Sequence, residues 1–355
     1  MVDYFDRGEM SQSKLKLLLG DPKYFNTVTE PERYFEEKVH FLIGDGVDFG
    51  LTRPTEVFTD VFHVSNIENK PSDTIKSIVN QVFDSVRENY NGQLGSISNV
   101  DYKTIIILAC DDHNYQVRWK EETRWAKVCE AYEYWEDLKT GYGKTILSGE
   151  EGALIDQMIM SFKSNEATSK YFKPELGVEI LYQVQIFFDY EGVACKGMLD
   201  LMRVDHANKT ILPLDVKTMG DYTYNFPKAL RKRRYDIQAA FYTHGLKTWQ
   251  AQRGLENYTI LPFKFLVDST KDPGTPMVFT CSKSLLHMGE FGRCETYYNL
   301  FDKNNKLIEN TKNNSIKGFK QLMDLYKYYM EHGFEVRKEV RDNNFDLPIS
   351  WSGIV

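Results

Sequence analysis

The segment Cys195–Tyr222, CKGMLDLMRVDHANKTILPLDVKTMGDY, places two carboxylates and a lysine inside what reads as two adjacent strands. VACKGMLDLMRVD and TILPLDVKTM are rich in branched and apolar residues and are separated by the turn-like HANK. An earlier strand, VEILYQVQIFFDY, joins the first of them through the turn YEG. Strand residues two apart share a face, so Asp215 and Lys217 point the same way. Asp200 lies on the neighbouring strand, and Glu179 stands at the start of the first. Three acids and a lysine can therefore converge at one end or bend of a sheet. Burying such charges unpaired costs several kcal/mol each. A divalent cation offsets that cost, and hard oxygen ligands suit Mg²⁺ or Mn²⁺. Such an ion polarises a phosphate oxygen and acidifies a bound water, while the lysine orients that water, helps deprotonate it, or neutralises developing charge. The plainer alternative is a structural ion pair between Asp200 and Lys217, with Asp215 a solvated edge residue.

Downstream, FPKALRKRRYDIQAAFYTHGLKTW reads as one long helix with Pro227 near its start. On it Arg231, Arg234, Tyr235, Gln238 and Tyr242 fall on one stripe. Residues 226–234 carry five positive charges, Lys228, Arg231, Lys232, Arg233 and Arg234, and no acid. Such a patch either holds a phosphate backbone, with Gln238 and Tyr242 beside the metal, or is a solvated basic face. TILPFKFLVD (259–268) returns to strand, and Phe319, Leu322, Met323, Tyr326 and Met330 mark a later helix. Upstream, MSQSKLKLLLGDPKYFN predicts a short helix entered through Ser11 or Ser13. Residues 72–89 predict an amphipathic helix, KTIIILAC (103–110) a buried strand, and Ser148 with Glu151 a capping box.

The order E, D, DxK and QxxxY, on strand, strand, strand and helix, resembles the PD-(D/E)xK nuclease superfamily. Within it the chain resembles the RecE-type (exonuclease VIII) and lambda-exonuclease-like phage recombination nucleases. VEILYQVQIFFDYEGVACKGMLDLM is similar to their E…cKgriD hairpin, LPLDVKT to their idlKT strand, and RRYDIQAAFYTHG to their QxxxY helix. MSQSKLKLLLGDPKYF, TILSGEEGALIDQMI and the closing DLPISW resemble flanking motifs. The resemblance implies an α/β fold with a restriction-endonuclease-like core, a central mixed sheet flanked by helices, and helical elaborations at both ends. It implies that Asp200, Asp215 and the carbonyl of Val216 hold the metal with support from Glu179, that Lys217 is the catalytic lysine, and that Gln238 and Tyr242 adjoin them. A histidine ligand of several members falls here on Asp48, with His40 as the alternative. Lys228, Arg231, Lys232, Arg233, Arg234 and Tyr235 would meet DNA. The implied activity is exonucleolytic, 5′ to 3′ on linear double-stranded DNA, in recombination by single-strand annealing. The implied partners are an annealing protein and further copies of the chain in a ring, trimer or tetramer. The rivals are an endonuclease or resolvase of the same superfamily, and an inactive DNA-binding module.

Composition bounds these readings. The 355 residues read as one elaborated domain: a mainly helical part to residue 174, the catalytic core over 175–270, and a helical part over 271–355. A net charge of −7 confines any nucleic-acid contact to a local basic groove. The opening MVDYFDRGEM lacks an apolar signal segment, and no apolar run suits a membrane helix, so a cytoplasmic protein is expected, in a bacterial host if phage-encoded. The five cysteines, Cys110, Cys129, Cys195, Cys281 and Cys294, include no CxxC pair and read as reduced thiols. Superfamily members with an iron–sulfur cluster use a close downstream group, for which Cys281 and Cys294 are the only candidates here, so no cluster is expected. TGYGKT (140–145) lacks the first glycine of a phosphate loop, so no nucleotide cofactor is expected. The aromatic stretch 117–135 reads as core-packing helix in preference to a base-stacking surface.

Overall fold

The structure, a computed structural model, describes residues 4–27, 39–68, 70–293, 297–301, 307–312, 316–342, 349–350 and 353–354. Most of the DLPISW motif and Cys294 lie outside the described residues. The single domain expected from the sequence divides into two compact units: Met1–Arg53 with Gln157–Val355, and Pro54–Asp156 inserted between them.

The first unit is built on a six-stranded mixed sheet. Its strands are β1 (Val178–Tyr190), β2 (Val193–Asp205), β3 (Thr210–Met219), β4 (Thr259–Ile260), β5 (Lys264–Ser269) and β6 (Met277–Thr280). The order is β1-β2-β3-β5-β6, with β4 also paired to β3. β1, β2 and β3 form an antiparallel meander, whereas β5 runs parallel to β3 and is reached through a helical crossover. The strand expected over 259–268 is two strands, interrupted at Leu261–Phe263, where Pro262 has no amide to donate.

The helices of this unit that bear on the site are α1 (Gln12–Lys16), α2 (Val39–Thr52), α3 (Phe226–Arg233), α4 (Tyr235–Gln252), α5 (Lys283–Phe291) and α6 (Phe319–His332). α1 begins at the Ser11 cap, whose hydroxyl accepts the Lys14 amide at 3.2 Å. α4 buries residues on every side, as expected of a helix covered by the sheet on one face and by α5 and α6 on the other. Its Ile237, Phe241 and Leu246 join Ile186, Phe188, Leu199 and Met202 of the sheet and Phe319, Leu322 and Met323 of α6 in one core. The helix predicted to run unbroken through 226–249 is therefore two. Arg234, at φ 52°, takes the left-handed conformation that ends α3 and starts α4.

The second unit is mainly helical around Ile78, Val79, Val82, Ile106 and Trp135. The amphipathic helix expected over 72–89 is Asp73–Asn89, and it begins at the Ser72 cap. Lys103–Asp112 is a helix and not the expected strand: Ile106, Ile107, Ala109 and Cys110 bury one side of it. Ser148 and Glu151 form the expected capping box, the Ser148 amide donating to Glu151 Oε2 at 2.7 Å and the Glu151 amide to Ser148 Oγ at 3.2 Å. Trp135 is fully buried, its Nε1 donating to the Gly95 carbonyl at 2.9 Å, while Trp119 and Tyr132 of the same aromatic stretch are exposed. TGYGKT leads from the helix Tyr132–Gly141 into the strand Thr145–Ser148, the reverse of the strand-to-helix order of a phosphate loop. Among the described residues, no helix is long and apolar enough to cross a membrane.

Candidate active site

The three strands of the meander come apart at Asp200. On one side, β2 and β3 pair from Asp205–Thr210 to Leu201–Leu214 and no further. On the other, the β1–β2 register continues unchanged, but the facing pair Gln183 and Asp200 drops out of the ladder, and Gln183 takes a φ of 47°. Asp200 is thus free of the ladder on both sides. Its Oδ2 accepts the Val216 amide at 2.7 Å, filling the gap where the strands separate. Asp215 lies just past the last β2–β3 pair and is 1% exposed.

Gln238 of α4 donates from Nε2 to Asp215 Oδ1 at 2.6 Å, and Lys217 Nζ forms an ion pair with Asp215 Oδ2. The plainer alternative weighed from the sequence is not what forms: the lysine pairs with Asp215, and Asp215 is buried. Tyr242, one turn beyond Gln238, is buried beside the same acids. It fits because residue 197 of the CKG motif is glycine: a Cβ there would stand 2.8 Å from the Tyr242 ring. Burial, then the Asp215 charge, raises the Tyr242 phenol, so it stays protonated. The lysine of the same motif, Lys196, holds the N-terminal segment, donating to the carbonyls of Tyr4 and Arg7 at 2.6 Å each.

α2 supplies a third acid. Gly44 brings this helix close to β3, since a Cβ there would lie 3.0 Å from Thr218 Oγ1. Asp48 follows one turn later. Gln183 Nε2 donates to Thr52 Oγ1 at 2.6 Å and to Asp48 Oδ2 at 3.3 Å. Of His40 the structure describes the backbone alone. Glu179, the expected support of the metal, is not brought to this cluster. It pairs across β1–β2 with Val204, four residues from the Gln183–Asp200 position, or about 13 Å along a strand. Its half-exposed carboxylate faces Arg253 at 3.7 Å and His206 at 3.8 Å.

The electrostatics follow from this packing. Burial, then the charges of Asp215 and Asp48, hold the Asp200 carboxyl well above the ordinary range. Burial raises Asp215 against the pull of Lys217, and burial with the Asp215 charge raises Asp48. Lys217 is raised as well, because Asp215 and Asp200 outweigh the cost of its burial. The sequence reading missed Lys16 of α1. It stands over the Tyr235 ring at 5.8 Å, and Lys217 stands over the same ring at 5.3 Å. Burial, then the repulsion of Lys217, pushes the Lys16 ammonium down to about 8. Nothing in the sequence near Lys16 marks it, because the contact spans two hundred residues of chain.

The donor set fits a hard divalent cation. Asp215 Oδ2 is buried and meets Lys217, and the neighbouring charges of Asp215 and Asp48 raise Asp200 while that of Asp215 raises Asp48. Among the described residues no three acid, histidine or cysteine side chains are placed to hold a metal ion, so Asp48 does not complete a ligand set with Asp200 and Asp215.

Lys217 opens into a groove of about 390 Å³ lined by Asp221, Lys228, Lys232, Arg233 and Tyr235. Lys228 and Lys232, one turn apart on α3, present one face of that helix to the groove. Arg231 and Arg234, expected on the same DNA-facing stripe, instead line a separate cavity of about 690 Å³ with Leu230 and Asp236. Arg234 is occupied there: its guanidinium pairs with Asp236 at 2.9 Å and donates to the Lys317 carbonyl at 2.7 Å. Arg231 is turned away from Lys228 and Lys232 by the winding of α3 itself, and Arg234 lies at the break that follows.

Residues 109–316 match the model of the family described as a PDDEXK-like domain of unknown function (DUF3799). The chain is a member of that PDDEXK-like family. The match spans more than half of the chain and includes Asp200, Asp215, Lys217, Gln238 and Tyr242, whereas Lys16 and Asp48 precede it. The PDDEXK-like chain thus belongs to the PD-(D/E)xK nuclease superfamily, and its domain is of nuclease type. No curated protein matches it. A solved structure from Eubacterium rectale described as a "Putative exonuclease" is 12% identical, with 81% of this chain and 80% of that chain covered and a TM-score of 0.41. A likeness of that degree carries no argument about activity.

Proposed function

We propose that this protein is a metal-dependent deoxyribonuclease that degrades linear double-stranded DNA from its ends. The observation that carries this reading is buried Asp215 beside partly buried Asp200, with Lys217 paired to Asp215 and lining a groove together with Lys228, Lys232 and Arg233. Asp200, Asp215 and the Val216 carbonyl would hold Mg²⁺ or Mn²⁺, which when bound supplies Lewis acidity toward phosphate oxygen and water. Lys217, charged at neutral pH, neutralises the charge that grows on the phosphate during attack. Gln238 fixes the Asp215 carboxylate through Oδ1, leaving Oδ2 turned toward Lys217. Tyr242 closes the apolar side of the site and keeps water from the acids. Lys228, Lys232 and Arg233 hold the phosphates of the strand that enters.

The resemblance of the E…cKgriD, idlKT and QxxxY segments to RecE-type and lambda-exonuclease-like proteins supports the finer reading. By it digestion runs 5′ to 3′ and leaves single strand for an annealing protein, and the chain acts as a homo-oligomer. Duplex DNA labelled at either end tests the polarity: a 5′ label is released early as mononucleotide and a 3′ label late. The opposite order overturns the polarity and leaves the nuclease reading standing.

Two further results are expected. First, replacing Lys228, Lys232 and Arg233 with alanine flattens the dependence of log Kd on log salt by about 2–3, since each phosphate contact contributes about 0.7–0.9. Arg231→Ala leaves the slope nearly unchanged. Equal slopes in a filter-binding titration would make the groove a solvated face. Second, the raised acids link stability to pH. The folded state keeps their protons above the ordinary carboxylate value of 3.8, where the unfolded chain has lost them. The metal-free protein therefore loses stability as pH rises from about 3.8 through the raised values. Mg²⁺ competes with those protons, so its stabilisation grows with pH, reaching on the order of 5 °C in Tm near saturation. A Mg²⁺ increment independent of pH in melting curves would remove the acids from the ion's site.

A further inference from the structure

Between Lys217 on β3 and the cations of α3 runs the short loop Gly220–Asn225, and it carries two tyrosines that the mechanism does not use. Tyr222 and Tyr224 stack on one another, ring centroids 5.6 Å apart and planes 9° from parallel. Both rings face solvent: Tyr222 is 38% exposed and Tyr224 63%. An exposed aromatic ring in a loop ordinarily samples several rotamers, but this loop is fixed from within. Asp221 accepts the Tyr222 amide at 2.8 Å and the Asn225 side-chain amide at 2.9 Å. Thr223, between the two tyrosines, is 3% exposed and anchors the loop to the Thr275 carbonyl. Lys271, on a neighbouring loop, places its ammonium 4.2 Å from the centre of the Tyr222 ring. Asp221 and Asn225, which bracket the tyrosines, both line the groove into which Lys217 opens.

A fixed, parallel, solvent-facing pair of rings with a cation beside it, at the rim of a groove that takes a phosphate backbone, has the chemistry of a base-stacking platform. Paired bases inside a duplex offer no free face to such a ring; an unpaired one does. We infer that Tyr222 and Tyr224 stack on an unpaired nucleobase of the strand entering the groove, with Lys271 on its backbone. The substrate at the catalytic lysine is then a locally single-stranded, frayed end. Stacking engages the π-face that every base presents, so the platform selects for unpaired structure and not for sequence. The inference rests on the nuclease reading for its placement, but its test does not depend on hydrolysis.

The test is binding of a single-stranded oligodeoxythymidylate carrying one 2-aminopurine, moved along the strand, to the full-length protein in EDTA. The wild type and Tyr224→Phe quench the fluorescence at one or two adjacent positions. Tyr224→Leu and the double variant Tyr222→Leu/Tyr224→Leu lose the quench and bind roughly 5- to 150-fold more weakly, with unchanged melting temperature. Leucine variants that quench and bind like the wild type overturn the platform, as does a wild type that quenches at no position. Mg²⁺-dependent hydrolysis measured on the same proteins separates the two readings. Hydrolysis by the wild type with no tyrosine effect on stacking sinks the platform alone, whereas stacking lost with the tyrosines and no hydrolysis by any protein sinks the nuclease alone.

Discussion

Asp215→Asn abolishes hydrolysis, lowering it by about 10³-fold or more, and at the same time raises the melting temperature of the metal-free protein. The pairing of the two effects distinguishes a functional acid from a structural one. Burial raises the carboxyl of Asp215 above its ordinary value even with Lys217 against it, so its charged form is disfavoured in the fold. Asparagine has the shape of the neutral acid and keeps an oxygen for Gln238 to donate to, as it does now at 2.6 Å. It also relieves Asp200, whose own carboxyl is raised in part by the Asp215 charge. The change therefore removes repulsion from the metal-free fold while deleting the carboxylate oxygen that faces Lys217. A variant that keeps Mg²⁺-dependent activity contradicts the site. A variant that loses activity and also melts markedly lower shows Asp215 to be a structural partner of Lys217.

Lys217→Met produces the opposite stability signature with a similar loss of activity, about 10²–10³-fold. Lys217 is held above its ordinary value, so it is fully charged at neutral pH and its stabilising effect is present throughout the range below its unfolded value of 10.5. Removing it leaves Asp215 buried beside Asp200, with Lys16 the remaining cation that acts on Asp215 among the described residues. Breaking a buried pair on one side costs about 3–5 kcal/mol, a fall in Tm on the order of 10 °C. That fall shrinks in acid, where the acids take up protons and no longer need the lysine. Melting curves across pH check this: a deficit that does not diminish in acid points to lost packing of the lysine stem.

Much of the candidate site was legible in the sequence because it depends on local periodicity. Asp215 and Lys217 share a face because a strand alternates, and Gln238 and Tyr242 share one because a helix turns every 3.6 residues. The Ser148–Glu151 capping box follows directly from such spacing, whereas the placing of Gln238 beside the acids came from the family resemblance. What was not legible depends on single residues whose conformation answers to distant groups. Arg234 turns left-handed where its guanidinium is held by Asp236 and by the Lys317 carbonyl, and that turn breaks the expected single helix. Gln183 leaves the ladder beside Asp200 and turns its amide to Asp48 and Thr52, so the acid near Asp200 is Asp48, not the glutamate four residues away. Lys103–Asp112 was misread because a short continuous apolar run serves a buried helix as well as a buried strand. Lys16 joins the site through folding alone.

The most direct measurement incubates the protein with one DNA sequence in linear duplex and closed-circular form, with Mg²⁺ or with EDTA, and follows both forms on a gel. Loss of the linear form alone, only with Mg²⁺ and not with Asp215→Asn, is the predicted result. Cutting of the closed circle at the rate of the linear form contradicts action from an end, and persistence of both forms with Mg²⁺ and with Mn²⁺ contradicts the nuclease assignment itself.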